Sequence, residues 1–242
     1  MLAGGAVDAP RSWFFCKGTQ TQSPGWEGGF DLVEYNTFYL GDTSQKRIFL
    51  TFDVGYENGY TPKILDVLRD KNVPAAFFAT LPYLREEGEI VRRMIDEGHV
   101  VANHTVRHKS SPTLNQQELT AELAGVADFF KENFGAEMPM FWRPPMGQYC
   151  LQTLQTAKEL GYATVFWSFA YQDWLVDKQP TVATAHDKVV EGLHNGAILL
   201  LHAVSSANAA AMGDIIDSAR ALGYEFVSLH ELTGSNFPPK IY

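Results

Sequence analysis

Along this chain, short apolar runs alternate with longer segments whose apolar residues recur three and four positions apart. The first run, Ile48 to Phe52, is too apolar for an exposed sheet edge and too short for a helix, so it predicts a buried, parallel strand. Thr61-Pro62 then reads as N-cap and first helical residue, with a helix to about Lys71. Ala75 to Thr80 is the second strand, Glu89 to Glu97 a helix stopped by Gly98, and His99 to Asn103 the third strand. In the longest helix, Gln116 to Phe134, residues Leu119, Leu123, Val126, Phe130 and Phe134 share one face, and Gly135 closes it. Met140 to Arg143 is the fourth strand, Thr153 to Leu160 a helix, and Ala163 to Ser168 the fifth strand. Thr184 to Leu193 is a helix and Ala197 to Leu201 the sixth strand. A helix over Ala209 to Leu222 and a strand over Glu225 to Leu229 complete the series.

Strands alternating with helices predict an α/β domain with a parallel sheet and right-handed crossovers. No Gly-rich phosphate turn follows an early strand, which favours a closed or nearly closed barrel over an open dinucleotide-binding sheet. Residues 1–45 are rich in Gly, Ser, Thr and aromatics without sustained periodicity, and predict an irregular N-terminal arm packed on a domain over 46–232, with a tail over 233–242.

Composition narrows the function. A hydrophobic content of 45% in 242 residues supports one large core, and a net charge of -9 argues against a nucleic-acid partner. No run of 18 apolar residues is present, which excludes a membrane-spanning helix. The start, Met1 to Asp8, lacks a basic n-region and a full h-region, so it predicts either a cytosolic chain or one that begins after a removed leader. Cys16 and Cys150 fit neither a disulfide framework nor a CxxC motif; unpaired thiols are the simple expectation and a single bridge the alternative. Aromatics at 13%, including five Trp, suit sugar rings as well as a core.

The polar residues just past the strands carry the candidate chemistry, because catalytic groups of barrels collect at the carboxyl ends of strands. Asp53 ends the first strand beside Gly55 and Gly59, either as a catalytic carboxylate or as a turn cap. After the third strand, His104 and His108 at i, i+4 would share one face of a helical turn, a spacing that suits two imidazoles on a divalent metal; capping or surface histidines are the alternative. Arg143, stiffened by Pro144 and Pro145, is placed to pair with Asp53 or a substrate carboxylate, or to make a structural ion pair. Asp173 either orients a histidine, binds Arg143 or caps a turn, and Trp174 offers an apolar wall or a core residue. His202, straight after Ile198 to Leu201, is either at the crevice and able to titrate near neutral pH or a satisfied core histidine.

The set Thr51-Phe52-Asp53-Val54-Gly55, His104-Thr105-Val106-Arg107-His108, Arg143-Pro144-Pro145-Met146-Gly147, Asp173-Trp174 and Leu200-Leu201-His202 resembles, in the same order, the five motifs of the polysaccharide deacetylases. This is the NodB-homology carbohydrate esterase family 4, and the likeness spans about Arg47 to Leu232. Within it, Phe38 to Thr43, Gly55 to Tyr60 and Ala170 to Trp174 look most like the PdaA-type, delta-lactam-biosynthetic peptidoglycan de-N-acetylases of spore formers. The resemblance implies a distorted (β/α)7 barrel and a secreted or cell-wall hydrolase. Its substrate would be N-acetylmuramic acid in peptidoglycan glycan strands already stripped of stem peptides by an amidase. It also implies Asp53 as general base, His202 as general acid, and His104 and His108 as ligands of a divalent ion, zinc, manganese, magnesium or cobalt. Arg143 would position Asp53, Asp173 would tune or orient its charged neighbours, and Trp174, Leu200, Tyr149 and Tyr171 would contact substrate. One departure stands out: Val54 occupies the place of the Asp that serves most of the wider family as third metal ligand, where the PdaA-type branch usually has Asn. Valine cannot coordinate, so water, substrate oxygens or Asp53 itself would complete a weaker site. A glycan-binding pseudoenzyme and an N-acetylglucosamine or chitin-oligomer deacetylase are the competing functions.

Overall fold

The computed structural model describes residues 8–16, 24–26 and 28–236. Expectations for the first seven residues and for the end of the tail, 237–242, lie outside the described residues. The strands are β1 (Arg11–Ser12), β2 (Thr37–Phe38), β3 (Arg47–Val54), β4 (Ala76–Ala79), β5 (Val100–Asn103), β6 (Phe141–Trp142), β7 (Gln148–Tyr149), β8 (Ala163–Val165), β9 (Phe169–Ala170), β10 (Ala197–His202) and β11 (Glu225–Phe226). The helices are α1 (Thr61–Asp70), α2 (Leu81–Glu86), α3 (Gly88–Asp96), α4 (Gln116–Phe134), α5 (Leu151–Glu159), α6 (Val182–Glu191) and α7 (Ser206–Ala221).

The main sheet runs β2-β8-β6-β5-β4-β3-β10-β9, all parallel, with β11 attached to the start of β3. The expected fifth strand is shortened: β8 ends at Val165 and pairs with β6, while β9, a strand that periodicity does not predict, begins just past the expected end at Ser168 and pairs with β10. The segment between them, helped by the bond from Ser168 N–H to the Ile198 carbonyl (3.0 Å), carries the chain from β8, next to the β2 edge, to β9 at the opposite edge of the curled sheet. The seventh strand does not close the ring. It pairs with Arg47 and Ile48 of β3, while β10 takes the other side of β3 directly. The arm is less separate than its composition suggests, since β2 is an edge strand of the main sheet and β1 pairs antiparallel with β7. Trp13 anchors it, stacked on Phe166 at 4.3 Å with its indole N–H on the Trp167 carbonyl (2.9 Å).

Side-chain alternation divides the core into two layers. From β3, residues Ile48, Leu50, Phe52 and Val54 face the helices α1, α6 and α7, together with Leu199 and Leu201 of β10. The other face of the sheet turns Phe49 and Ile198 into the barrel interior with Phe78, Ala102 and Val165. Thr51 and Asp53 share that inward parity, and so do Leu200 and His202. Local sequence sets the helix starts: Asn115 and Glu118 form a reciprocal capping box on α4, and Thr80 caps the short α2, which periodicity does not predict. At α1 the expected cap is corrected. Thr61 is the first helical residue, and the Glu57 carboxylate accepts the N–H groups of Tyr60 (2.8 Å) and Thr61 (3.1 Å). Cys16 and Cys150 are free thiols.

At the amino ends of the strands, the loop after β2 meets the loop before β10. Gly41 N–H bonds the Gly196 carbonyl at 2.8 Å, and Gly196 has φ +73° with a would-be Cβ only 2.7 Å from the Gly41 carbonyl oxygen. A side chain there meets both backbone strain and a backbone clash. Gly196→Ala should therefore lower unfolding stability by about 2–3 kcal/mol, read as a reduced denaturant midpoint at unchanged slope.

Candidate active site

The pairing of β3 with β10 sets Asp53 directly beside His202, on adjacent strands and facing inward. Asp53 is locked by Arg143, which leaves the end of β6 with no exposed surface. One terminal nitrogen of Arg143 donates to Asp53 Oδ1 at 2.6 Å, and the other to Thr51 Oγ1 at 2.9 Å. Its Nε donates to the Val165 carbonyl at 2.9 Å, and its plane lies 4.0 Å over the Phe78 ring. Burial works against charge on Asp53, yet Arg143, with His104 and His202 behind it, outweighs this and holds the carboxyl below the usual range. Asp53 is an anion at neutral pH.

His104 and His108 come together, though not on a helical turn. Thr105 (φ +71°) and His108 (φ +51°) both adopt left-handed backbone, giving a tight loop that holds the two rings 4.8 Å apart and nearly perpendicular. The loop is pinned from below, where Asn103 Oδ1 accepts the Thr105 N–H (3.0 Å) and Thr105 Oγ1 accepts the His108 N–H (3.1 Å). From the side, the buried carboxylate of Glu122 on α4 takes the Arg107 N–H at 2.8 Å and the Arg107 Nε. His104 Nδ1 meets the Arg143 carbonyl at 2.9 Å; a carbonyl only accepts, so Nδ1 carries the proton and Nε2 is a bare lone pair. That lone pair sits 3.6 Å from Asp53 Oδ2. Burial, with the His108 and Arg143 charges against it, depresses the His104 pKa to about 4, and burial lowers that of His108 as well.

His202 faces the opposite electrostatics. Its Nδ1 bonds Asp173 Oδ1 at 2.7 Å, and its backbone N–H donates to Asp173 Oδ2 at 2.8 Å. Burial opposes an imidazolium, but the Asp173 bond and charge, with Asp53 beyond, raise the His202 pKa above its ordinary value. With Nδ1 committed to Asp173, Nε2 is the nitrogen left for the cleft. These groups line a cavity of about 660 Å³ whose walls include Tyr56, Arg107, Met146, Trp174 and Leu200. An anionic base, an imidazole whose hold on its proton is strengthened and two imidazoles whose hold is weakened, around one cavity, are the parts of a hydrolytic site.

The family model described as polysaccharide deacetylase matches residues 40–165. The chain belongs to the polysaccharide deacetylase family. It is 39% identical, over 96% of its length and 91% of the relative's, to the peptidoglycan-N-acetylmuramic acid deacetylase PdaA of Bacillus subtilis. The solved structure of that family 4 carbohydrate esterase superposes with a TM-score of 0.89 at 38% identity, covering 94% of this chain and 98% of the other. A peptidoglycan-N-acetylglucosamine deacetylase of Bacillus cereus is 32% identical over 78% of this chain and 89% of its own. A family 4 pseudoenzyme from Bacillus anthracis is similar in structure, with a TM-score of 0.75 at 25% identity, covering 81% of this chain and 68% of its own.

In this deacetylase the structure gathers Asp53, His104, His108, Trp174, Leu200 and His202 around the cavity, with Arg143 and Asp173 buried behind. Two expected substrate contacts are corrected. Tyr149 is packed with Trp13, Leu154 and Phe166 under the N-terminal arm, away from the cleft. Tyr171 turns its hydroxyl to Asn208 Oδ1 instead of to the cavity. Asn208, which sequence reading missed, donates to Asp173 Oδ2 at 2.6 Å; its signal was a lone Asn inside an alanine-rich amphipathic face. Arg107 and Glu122 were missed as a pair because fifteen residues separate them.

The neutral, buried His104 has a consequence for stability. Its folded pKa of about 4 lies below the unfolded value of 6.5, so as pH falls below 6.5 the unfolded chain takes up a proton that the folded chain refuses. Chelator-treated protein should lose up to about 3 kcal/mol from this group between pH 6.5 and 4. Denaturant titrations across that range should show His104→Gln with a shallower pH dependence by up to one proton; an unchanged slope would refute the assignment.

Proposed function

We propose that this chain hydrolyses the N-acetyl group of muramic acid residues in peptidoglycan, outside the cytoplasm, on glycan strands freed of stem peptides. The observation that carries this reading is the side-by-side placement of Asp53 and His202, each tied to its own oppositely charged partner. Asp53, kept anionic by Arg143, takes the proton of the attacking water as its oxygen adds to the acetyl carbonyl. His202, kept protonated and oriented by Asp173, gives a proton to the amide nitrogen as the C–N bond breaks, leaving acetate and a free amine. Trp174, with its ring 5.5 Å from the His202 ring, and Leu200 offer the apolar wall for the acetyl methyl.

His104 Nε2 and Asp53 Oδ2 face each other as two acceptors with His108 alongside, an arrangement that a cation resolves. Among the described residues no three His, Cys, Asp or Glu side chains are grouped to hold an ion. The residues therefore fit a divalent ion held by the two imidazoles with other ligands from water or substrate. When bound, such an ion supplies Lewis-acid polarisation and offsets the weak basicity of a carboxylate held as low as Asp53.

Muramic acid differs from glucosamine by a lactyl carboxylate, and that group needs a cation. Among the described residues Arg107 is the only Lys or Arg lining the cavity, and although its Nε is paired with Glu122, its terminal nitrogens make no hydrogen bond there. This supports muramic acid over glucosamine. A pseudoenzyme that only binds glycan has no use for a base and an acid locked in opposite charge states.

Peptide-free peptidoglycan should release acetate with the new amine on muramic acid by mass spectrometry. Asp53→Asn or His202→Ala should each cut the rate by about 100- to 10,000-fold. Chelation should suppress it and divalent ions restore it; wild-type rates in both variants would sink the assignment. Arg107→Gln should lower the preference for muramic over glucosamine substrates about tenfold, the worth of one charge-assisted hydrogen bond.

A further inference from the structure

Behind the Asp173–His202 couple lies a second layer of polar groups with no access to the cleft. Asn208, fully buried at the start of α7, donates through Nδ2 to Asp173 Oδ2 at 2.6 Å and to the His202 carbonyl at 3.4 Å. Its Oδ1 accepts the Tyr171 hydroxyl, and its backbone N–H is held by the cap residue Ser205 at 3.1 Å. Ser205 Oγ in turn donates to Gln179 Oε1, and Gln179 Nε2 donates to the Asp173 carbonyl at 2.8 Å. The first turn of α7 thus grips the loop that carries Asp173 at both its side chain and its backbone.

We propose that Asn208, held in place by Tyr171, is a positioning residue for proton donation by His202. The argument is one of hydrogen-bond valence. A primary amide can present either a donor or an acceptor to Asp173, and only the donor end suits a carboxylate. The Asp173 carboxylate and the His202 carbonyl only accept, so Nδ2 faces them, and Oδ1 is left to take the Tyr171 hydroxyl hydrogen, which holds the amide in place. Asp173 Oδ2 is then shared between Asn208 and the His202 backbone, and Oδ1 is aimed at His202 Nδ1 alone. That geometry keeps the Nδ1 proton on Asp173 in the charged ring and in the neutral ring left after donation, so the proton given up is the one on Nε2, which faces the cleft. Asn208, Tyr171 and Asp173 do not line the cavity. Tyr171 thereby belongs to the acid arm of the site and not to a sugar subsite.

The inference rests on the reading of His202 as the proton donor, and the experiment separates the two. Asn208→Leu keeps volume and removes every side-chain bond; Tyr171→Phe removes a single hydroxyl and leaves the core filled. With folding confirmed by thermal melting, Asn208→Leu should lower kcat by about 10- to 100-fold with KM within about twofold. Tyr171→Phe should give a smaller loss in the same parameter. Nitrogen-15 spectra of labelled histidine, recorded at a pH high enough to leave His202 neutral, should change from one His202 tautomer to a mixture in both variants. In an Asp173→Asn background, Asn208→Leu should add less than threefold, because the two act through one bond. If His202→Ala retains the full rate, the underlying reading fails. If His202→Ala is inactive while folded Asn208→Leu or Tyr171→Phe keeps wild-type kcat and a single tautomer, the positioning role alone is overturned. Should Asn208→Leu not fold, Tyr171→Phe decides by itself.

Discussion

A guanidinium with no solvent exposure must find a partner for each donor, and Arg143 finds them on several strands at once. It donates to the carbonyl of Val165 on β8, to Thr51 and Asp53 on β3, and, at 3.4 Å, to Phe166 in the stretch that leads to β9. Thr51 passes the connection on by donating to the Leu199 carbonyl of β10 at 2.6 Å. A buried charge of this kind is a poor source of net stability, since desolvation offsets most of the attraction. What it fixes is geometry: Asp53 cannot rotate away without leaving a cation unpaired in the barrel interior. The same residue presents its carbonyl to His104 and so sets that imidazole's tautomer.

The acid side of the site is built on the reverse logic with equal economy of parts. Asp173 is as buried as Arg143, and it stabilises positive charge on the more exposed His202. Opposite pKa displacements on neighbouring groups, Asp53 down and His202 up, keep a base unprotonated and an acid protonated over the same pH range. Parallel register sets the spacing between them, because Asp53 and His202 are paired positions on hydrogen-bonded strands. The chemistry is therefore as rigid as the sheet.

Much of this was legible in the chain because apolar runs that end in Asp, Asn-His, Arg or His are uncommon without a crevice to receive them. The helices were readable for a related reason: α4 spans Gln116–Phe134, as its apolar stripe predicts. Strands β2 and β9 were not readable. Two-residue strands exist only through their partners, and no local pattern encodes a partner. Left-handed backbone at Thr105 and His108 was hidden likewise, since a β-branched residue there needs tertiary support, here from Asn103, Glu122 and Val106 packed against Gly125. Tyr149 and Tyr171 were expected at the substrate on the family resemblance alone. Alternation and burial instead turn the first into an aromatic cluster and the second toward α7.

Val54 is explained by the same alternation that exposes Asp53. At the end of β3 it continues the series Ile48, Leu50 and Phe52 into the helix layer and is 1% exposed, so an apolar residue completes that core. A divalent ion held by His104 and His108, as proposed above, would then have one protein ligand fewer than in most of the wider family. Ligand basicity answers part of that loss. An imidazole binds an ion only when neutral, so near-neutral pH normally brings competition from protons. Burial has already displaced that proton from His104, whose pKa of about 4 leaves Nε2 free across the physiological range. The bond from Nδ1 to the Arg143 carbonyl holds the ring in the ligating tautomer before any ion arrives. Two neutral imidazoles, His104 already in the ligating tautomer, would bind an ion more weakly than a three-ligand cage but would leave more of its shell for substrate and water, where the proposed hydrolysis needs it.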